Sequence, residues 1–455
     1  MIKYKIAKYD AYKDSEVSWQ KKIPYHWRME RVKNLTKTQS GTTPRSEVSE
    51  YYENGTNFWV RTTDLNNDRL YSSEYKITNI ALKHCGLKTI PVNSILLAMY
   101  GGMGTIGKNS ILKEKVTINQ SVCAILPNDK SFNSTYLWYY VQYFRSHWEM
   151  FADSARKDPN INQEAIKRLW VIAPPLPEQK AIANYLDTKT AQIDYKIDLL
   201  TQKASKYNEL KQSLINETVT RGLDKTVALK DSGVEWIGKV PEHWEVKRLK
   251  DLGTIETSSV DKKIKSNEKL VKLVNYKNIY DNLIKEIWNQ DDYMEVSANN
   301  KQLQDKQLMK GDVLFTPSSE TIEDIGVSAV VKENLYNTLY SYHILRLRFN
   351  ISIHINFKKY LFNNKNVQYY FSKSSKGTTR KILGLNSFYN LEMPIPPTHK
   401  EQQAIANYLD TKTNHIDSII ETINIQIDKL KELRKTLIND VVTGKINITM
   451  KGEAV

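Results

Sequence analysis

AIANYLDTKT stands at 181–190 and again at 404–413, and the match runs outward from both copies. Upstream, Glu178 and Gln179 pair with Glu401 and Gln402. Downstream, Ile193 and Asp194 pair with Ile416 and Asp417, and Leu210, Leu214, Ile215, Asn216 and Thr220 with Leu433, Leu437, Ile438, Asn439 and Thr443, always 223 residues apart. A weaker repeat precedes each copy. KDSEVSWQKKIPYHWRMERVKNL (13–35) aligns with KDSGVEWIGKVPEHWEVKRLKDL (230–252) at a spacing of 217, matching Trp19, Pro24, His26, Trp27, Arg31 and Leu35 to Trp236, Pro241, His243, Trp244, Arg248 and Leu252. Residues 36–170 and 253–393, between these frame segments, share no sequence register. So long a period excludes a solenoid and implies tandem duplication of a whole domain with its connector. Two similar frames hold two dissimilar inserts, and pseudo-twofold symmetry is expected.

The connectors read as long helices. Between Pro177 and Gly222 there is neither proline nor glycine, and Ile193, Ile197, Leu200, Ala204, Tyr207 and Leu214 follow the a/d spacing of a coiled-coil seam. The second copy repeats it with Ile416, Ile420, Ile423, Ile427, Leu430, Leu437 and Val441; Lys211 and Arg434 interrupt the same d position in both. Prolines before Glu-Gln suit a helix start, and Gly222 and Gly444 suit its C-cap. A helix of about 40 residues is a rod of roughly 60 Å, which cannot bury its stripe alone. The expected partner is its own duplicate, running antiparallel.

Composition bounds the class. The 455 residues suffice for two or three domains with real cores, and 66 Lys+Arg against 51 Asp+Glu gives a formal +15, the balance of a protein that meets a polyanion. Only Cys85 and Cys123 occur, without metal-ligand spacing, so neither a disulfide framework nor a zinc site is expected. No window approaches a membrane span, and the amino terminus lacks an apolar signal core, so a cytoplasmic protein is expected.

The inserts mix short β-like runs with turns. In the first, 56–65 and 93–107 read as strands with glycine turns and YLWYYVQYFRSHWEMF (136–151) as an amphipathic aromatic helix; in the second, 269–280, 312–320 and 341–349 read as strands and KYLFNNKNVQYYF (359–371) as a helix. Polar and aromatic residues beside turns are the types that reach base edges and phosphates: Thr43, Arg61, Asp64, Tyr100, Asn119, Gln120 and Asn160 in the first insert, Asn275, Tyr276, Ser318, Ser319 and Tyr342 in the second. Lys157, and Lys373, Thr378 and Arg380 within KSSKGTTRK, suit a backbone-clamping loop.

Catalytic motifs are absent. GMGTIGKN (102–109) satisfies G-x-x-x-x-G-K, but Asn109 replaces the magnesium-binding hydroxyl and the following residues alternate like a strand, so a glycine hairpin is the better reading. His26 and His243 recur at equivalent frame positions, where a turn carrying Trp27 or Trp244 into a core is expected instead of chemistry.

The whole plan, with PPLPEQKAIANYLD (174–187) and PPTHKEQQAIANYLD (396–410), resembles the specificity subunit of type I restriction-modification systems. SGTTP (40–44), FWVRTTDL (58–65) and INQSV (118–122) resemble one type of target-recognition domain; LVNYKNIY (273–280) and GDVLFTPSSET (311–321) resemble another. Thr398, His399 and Lys400 depart from Pro175, Leu176 and Pro177 of the first copy. The resemblance implies an α+β chain: a first target-recognition domain at 1–173 with its frame from 13, a central helix at 174–223, a second domain at 224–395 with its frame from 230, a C-terminal helix at 396–446 and a tail at 447–455. It further implies a non-catalytic subunit whose two domains read the halves of a bipartite site in double-stranded DNA. The helix pair would set the gap and dock two methyltransferase subunits, joined by motor-nuclease subunits. S-adenosylmethionine, ATP and magnesium would bind those partners, none this chain. The competing reading is a coiled-coil scaffold whose inserts bind proteins.

Overall fold

The computed structural model describes residues 4–101, 104–151 and 160–450, and the chain divides into two compact units, Met1–Leu200 with Ile425–Val455, and Thr201–Asn424. Each unit therefore takes part of both long helices.

In the first unit, frame strand Arg28–Arg31 pairs antiparallel with Trp170–Ala173, so the residues that enter and leave the insert lie side by side. The insert holds a five-stranded sheet in the order Thr38–Ser40, Val122–Ile125, Ile95–Ala98, Asn109–Leu112, Asp68–Leu70, antiparallel except for its last pair. A smaller sheet places Asn57–Val60 between Thr117–Ile118, parallel to it, and Lys76–Ile77, antiparallel.

The second unit repeats this plan. Glu245–Arg248 pairs with Glu392–Ile395, and the five-stranded order is Gly253–Thr257, Leu345–Phe349, Val313–Phe315, Ser328–Val331, Glu286–Ile287, again with only the last pair parallel. Its smaller sheet sets Lys269–Val274 between Leu335–Tyr340, parallel, and Met294–Ala298, antiparallel. Two inserts without common sequence thus share the order of the five-stranded sheet and three strands of the smaller one, to which the second insert adds Gln307–Leu308 beside Leu335–Tyr340. What both sequences preserve is a short apolar run in the middle strand, ILLA in one and VLF in the other, buried throughout.

The long helices span Leu176–Arg221 and His399–Val442. Both end on a left-handed glycine cap: Gly222 has φ +72° and Gly444 φ +76°. The starts differ. The first has Pro177 in its opening turn, whereas in the second the Thr398 hydroxyl accepts from the Glu401 amide at 3.2 Å, a side-chain cap in place of a fixed φ.

Ile193, Ile416, Ile423 and Ile427 are buried and Ile197, Leu200, Tyr207, Leu214, Ile420, Leu430 and Leu437 half-buried, while Leu199, Leu210 and Leu433 stand exposed one position away. Within the first unit Ile182 and Leu186 share a core with Ile438 and Val442, and Asp194 meets Arg434 at 3.0 Å; rising numbers on one helix meet falling numbers on the other. The second unit does the same, with Ile215 and Val219 in one core with Ile405 and Leu409, and Lys211 on Asp417 at 2.6 Å. The two cations that break the seam are equivalent under the repeat, as are the two aspartates. Each unit therefore makes the same cross-helix pair.

The frame repeats bond for bond. Trp27 and Trp244 are fully buried; their indole N–H groups donate to Glu178 (3.0 Å) and Glu401 (2.9 Å), and His26 and His243 meet the same carboxylates at 3.0 and 3.2 Å. Gln179 donates to the Pro174 carbonyl and accepts from the Asn133 amide, each at 2.8 Å; Gln402 donates to Pro396 at 2.8 Å and accepts from His354 at 2.7 Å. Asp187 accepts from the Tyr139 hydroxyl at 2.7 Å and Asp410 from Tyr360 at 2.6 Å. The repeated Glu-Gln and decamer thus form a socket into which each insert places a helix.

Several expected elements differ. The aromatic helix is Ser134–Phe144 followed by a 3-10 segment, Arg145–Phe151, and it is no amphipathic surface helix: Tyr136 through Val141 are all buried, since the sheet covers one side and the long helix another. The run 269–280 is a strand only to Val274, after which Tyr276–Tyr280 is helical because Asn275 caps it. The helix over 359–371 is two, Ile355–Phe362 and Lys365–Ser374, the second started by Asn364 as N-cap. Asn447–Met450, within the expected tail, forms a strand antiparallel to Tyr4–Ala7.

Candidate nucleic-acid interfaces

In the first unit the singled-out residues converge on one rim through backbone bonds. Asn57–Val60 ends where the Asn119 amide donates to the Val60 carbonyl at 3.0 Å, which sets Arg61 beside Asn119 and Gln120. Gly41 lies so close to the Ile118 carbonyl that no Cβ would fit, and the Thr42 amide donates to that carbonyl at 3.1 Å. The next residue, Thr43, then donates its hydroxyl to the Gln120 side chain. Met99 donates to Ser121 at 2.8 Å and accepts from Ile161 at 3.0 Å, bringing Tyr100 and Asn160 to the same strand ends. Tyr100 is exposed. Lys157 lies outside the described residues.

Arg61 is half-buried and lies over Tyr75, its guanidinium carbon 3.3 Å from the ring centroid. Among the described residues it forms no ion pair, and its buried Nε has no hydrogen-bond partner. Asp64 does different work: its carboxylate accepts from the Arg61 amide at 2.7 Å and from Ser73 at 3.2 Å, capping the 3-10 turn Thr62–Asp64. Gly104–Gly107 belongs to the turn between Ile95–Ala98 and Asn109–Leu112. Gly107, at φ +71°, packs on Trp148, and Asn109 is a buried strand residue, so the loop has no helix on which phosphates could sit.

The corresponding rim of the second unit carries different groups. Asn275, at the place of Arg61, uses its side chain to cap Tyr276–Tyr280, accepting from the Lys277 amide at 3.0 Å. Tyr276 stacks on Tyr280 at 5.3 Å, and Tyr280 donates to Asp324 at 2.9 Å. Burial raises the Tyr276 hydroxyl above its ordinary range, against the pull of the Ser319 hydroxyl and the Arg380 charge. Ser319, expected at the DNA surface, is buried instead, its hydroxyl accepting from the Thr321 amide at 3.3 Å. Ser318–Ser319 pairs with Lys381–Ile382, which fastens the KSSKGTTRK loop to the rim with Thr378 and Arg380 exposed at its tip and Gly377 at φ +109° in the turn. Lys373 lies farther back, over Tyr369 at 5.6 Å. Exposed Tyr342 meets His343 ring to ring in a tilted contact at 3.8 Å, and His343 is held below its usual range by burial and then by Lys262 and Arg380, signs of a cationic surface.

Tyr75 and Lys262 join these rims without any sequence signal, brought there by the fold, whereas His343 directly follows the singled-out Tyr342.

Among the described residues no helix is long and apolar enough to cross a membrane. The family described as "Type I restriction modification DNA specificity domain" matches residues 24–206 and 241–429. The MjaIX type I restriction enzyme specificity subunit of Methanocaldococcus jannaschii is 25% identical, covering 94% of this chain and 95% of the relative. The EcoKI specificity subunit of Escherichia coli K12 is 20% identical over 95% and 92%. A solved chain described under "Structural basis underlying complex assembly and conformational transition of the type I R-M system" has the same fold, with a TM-score of 0.69 at 14% identity over 93% and 99%.

Proposed function

This chain belongs to the type I restriction-modification DNA specificity family and is a specificity subunit, and from that premise we propose that its two inserts read the two halves of a bipartite, asymmetric DNA target. The observation that carries the reading is one sheet topology bearing two different sets of rim side chains. Around Arg61 the first unit offers a stacked cation with amides and hydroxyls; the second offers Tyr276 and Arg380. Similar frames hold both, so the halves differ while the manner of presenting them is alike. The formal +15 supplies sequence-independent attraction to phosphates.

The paired long helices fix the gap between the half-sites, and half-sites about one helical turn apart lie on one face of the duplex. The outer helix surface docks two adenine methyltransferase subunits; exposed Leu199, Leu210 and Leu433 are apolar area for a partner to cover. Motor-nuclease subunits join these. S-adenosylmethionine, ATP and magnesium belong to the partners, and this chain performs no chemistry beyond positioning the adenine that they flip and methylate. The assembly works in the cytoplasm, where it meets incoming DNA.

Single-molecule sequencing of DNA from cells expressing the chain with its cognate methyltransferase, against cells without the chain, tests this. A new methyladenine mark at one bipartite motif is expected. With the methyltransferase active and bound to the chain, no new mark would favour inserts that bind proteins.

A further inference from the structure

Arg61 combines three features that no other residue of its rim shares. Its backbone is fixed on both sides, by the Asp64 carboxylate on its amide at 2.7 Å and by the Asn119 amide on the preceding carbonyl at 3.0 Å. Its guanidinium carbon lies 3.3 Å from the Tyr75 ring centroid, a cation–π contact that restrains the side chain. Its charge is uncommitted, because the one carboxylate near it in sequence is occupied by the cap and, among the described residues, no ion pair forms. An arginine paired with a carboxylate would have to exchange that partner on binding; this one does not.

We infer that Arg61 reads a guanine of the half-site bound by the first insert, donating from its planar fork to O6 and N7 in the major groove, with Tyr75 as its positioning residue. Guanine is the base whose major-groove edge presents two adjacent acceptors matched to that fork. The other polar groups beside Arg61, Asn119, Gln120 and Thr43, are neutral, and Gln120 already accepts from Thr43. In the second unit the same strand end carries Asn275, whose Oδ1 accepts from the Lys277 amide in its cap, so this strand end presents no guanidinium to the second half-site.

The inference rests on the DNA-reading function proposed above, and the same sequencing separates the two. The wild-type chain with its methyltransferase is expected to mark a motif containing at least one guanine in the half that changes when residues 36–170 are exchanged. Arg61→Lys retains the charge and loses the fork. It is expected to relax that one guanine position, lowering its preference over the other bases by about 10-fold to 100-fold, with every other position unchanged. Tyr75→Ala should relax the same position and Tyr75→Phe should leave it intact. A marked bipartite motif whose first half lacks guanine overturns the inference while the function stands. So does Arg61→Lys lowering modification evenly at all sites without altering base preference. Should Arg61→Ala abolish modification through misfolding, Arg61→Lys and the Tyr75 pair still decide. No wild-type motif at all would overturn the function itself.

Discussion

At the residue scale, the repeated letters mark contacts between frame and insert. Trp244 is fully buried and its indole N–H ends on Glu401 at 2.9 Å, so Trp244→Ala leaves a large void and leaves the carboxylate to His243 alone. A loss of about 3–5 kcal/mol is expected, read from urea unfolding. Lys358 gives a pH dependence. Burial lowers its ammonium from 10.5 to about 8, although it donates to the Gly311 carbonyl at 2.8 Å. The unfolded chain keeps that proton to the ordinary lysine range, so between these values unfolding takes up a proton and this residue's contribution to stability rises with pH. Lys358→Met should stabilise the chain at neutral pH and flatten that rise in thermal melts run from pH 7 to pH 10. The frame residues were legible because duplication displayed them twice. The rim was less so: Asp64 and Asn275 have the right chemistry for base edges, yet each caps a short helix, and sequence alone does not separate a cap from a contact. Tyr75 was invisible, having no motif, only a place under Arg61.

At the element scale, periodicity was the strong signal. A seam that repeats over two long helices in one register fixes their type, their ends at Gly222 and Gly444, and their mutual pairing. What it left open was why Lys211 and Arg434 interrupt the apolar stripe. Each meets the partner helix's aspartate, and because Asp417 and Asp194 are more than half exposed the pairs select register more than they add stability. Reversing Lys211 to Asp should cost about 0.2–1 kcal/mol, and adding Asp417→Lys should restore most of it in a double-mutant cycle. Short elements were read less well. The helix expected over 359–371 breaks at Asn363 and Asn364, since an asparagine that can cap competes with helix continuation.

At the scale of the whole molecule, exchanging residues 36–170 for the insert of a relative should change one half of the methylated motif and leave the other half and the gap alone. A change in both halves would rule out independent reading. That both inserts share a topology could not be read from residues 36–170 and 253–393, because strands of three or four residues conserve only burial and their connecting loops differ in length. The socket has one more implication. Tyr139 and Tyr360 enter it from unlike helices, yet each ends on the decamer's aspartate and beside its second threonine, Thr190 at 3.0 Å or Thr413 at 3.2 Å. Neither socket records which insert it was built to receive. The two reading heads are portable, and their order along the gene is a matter of ancestry that physics leaves free to be reversed.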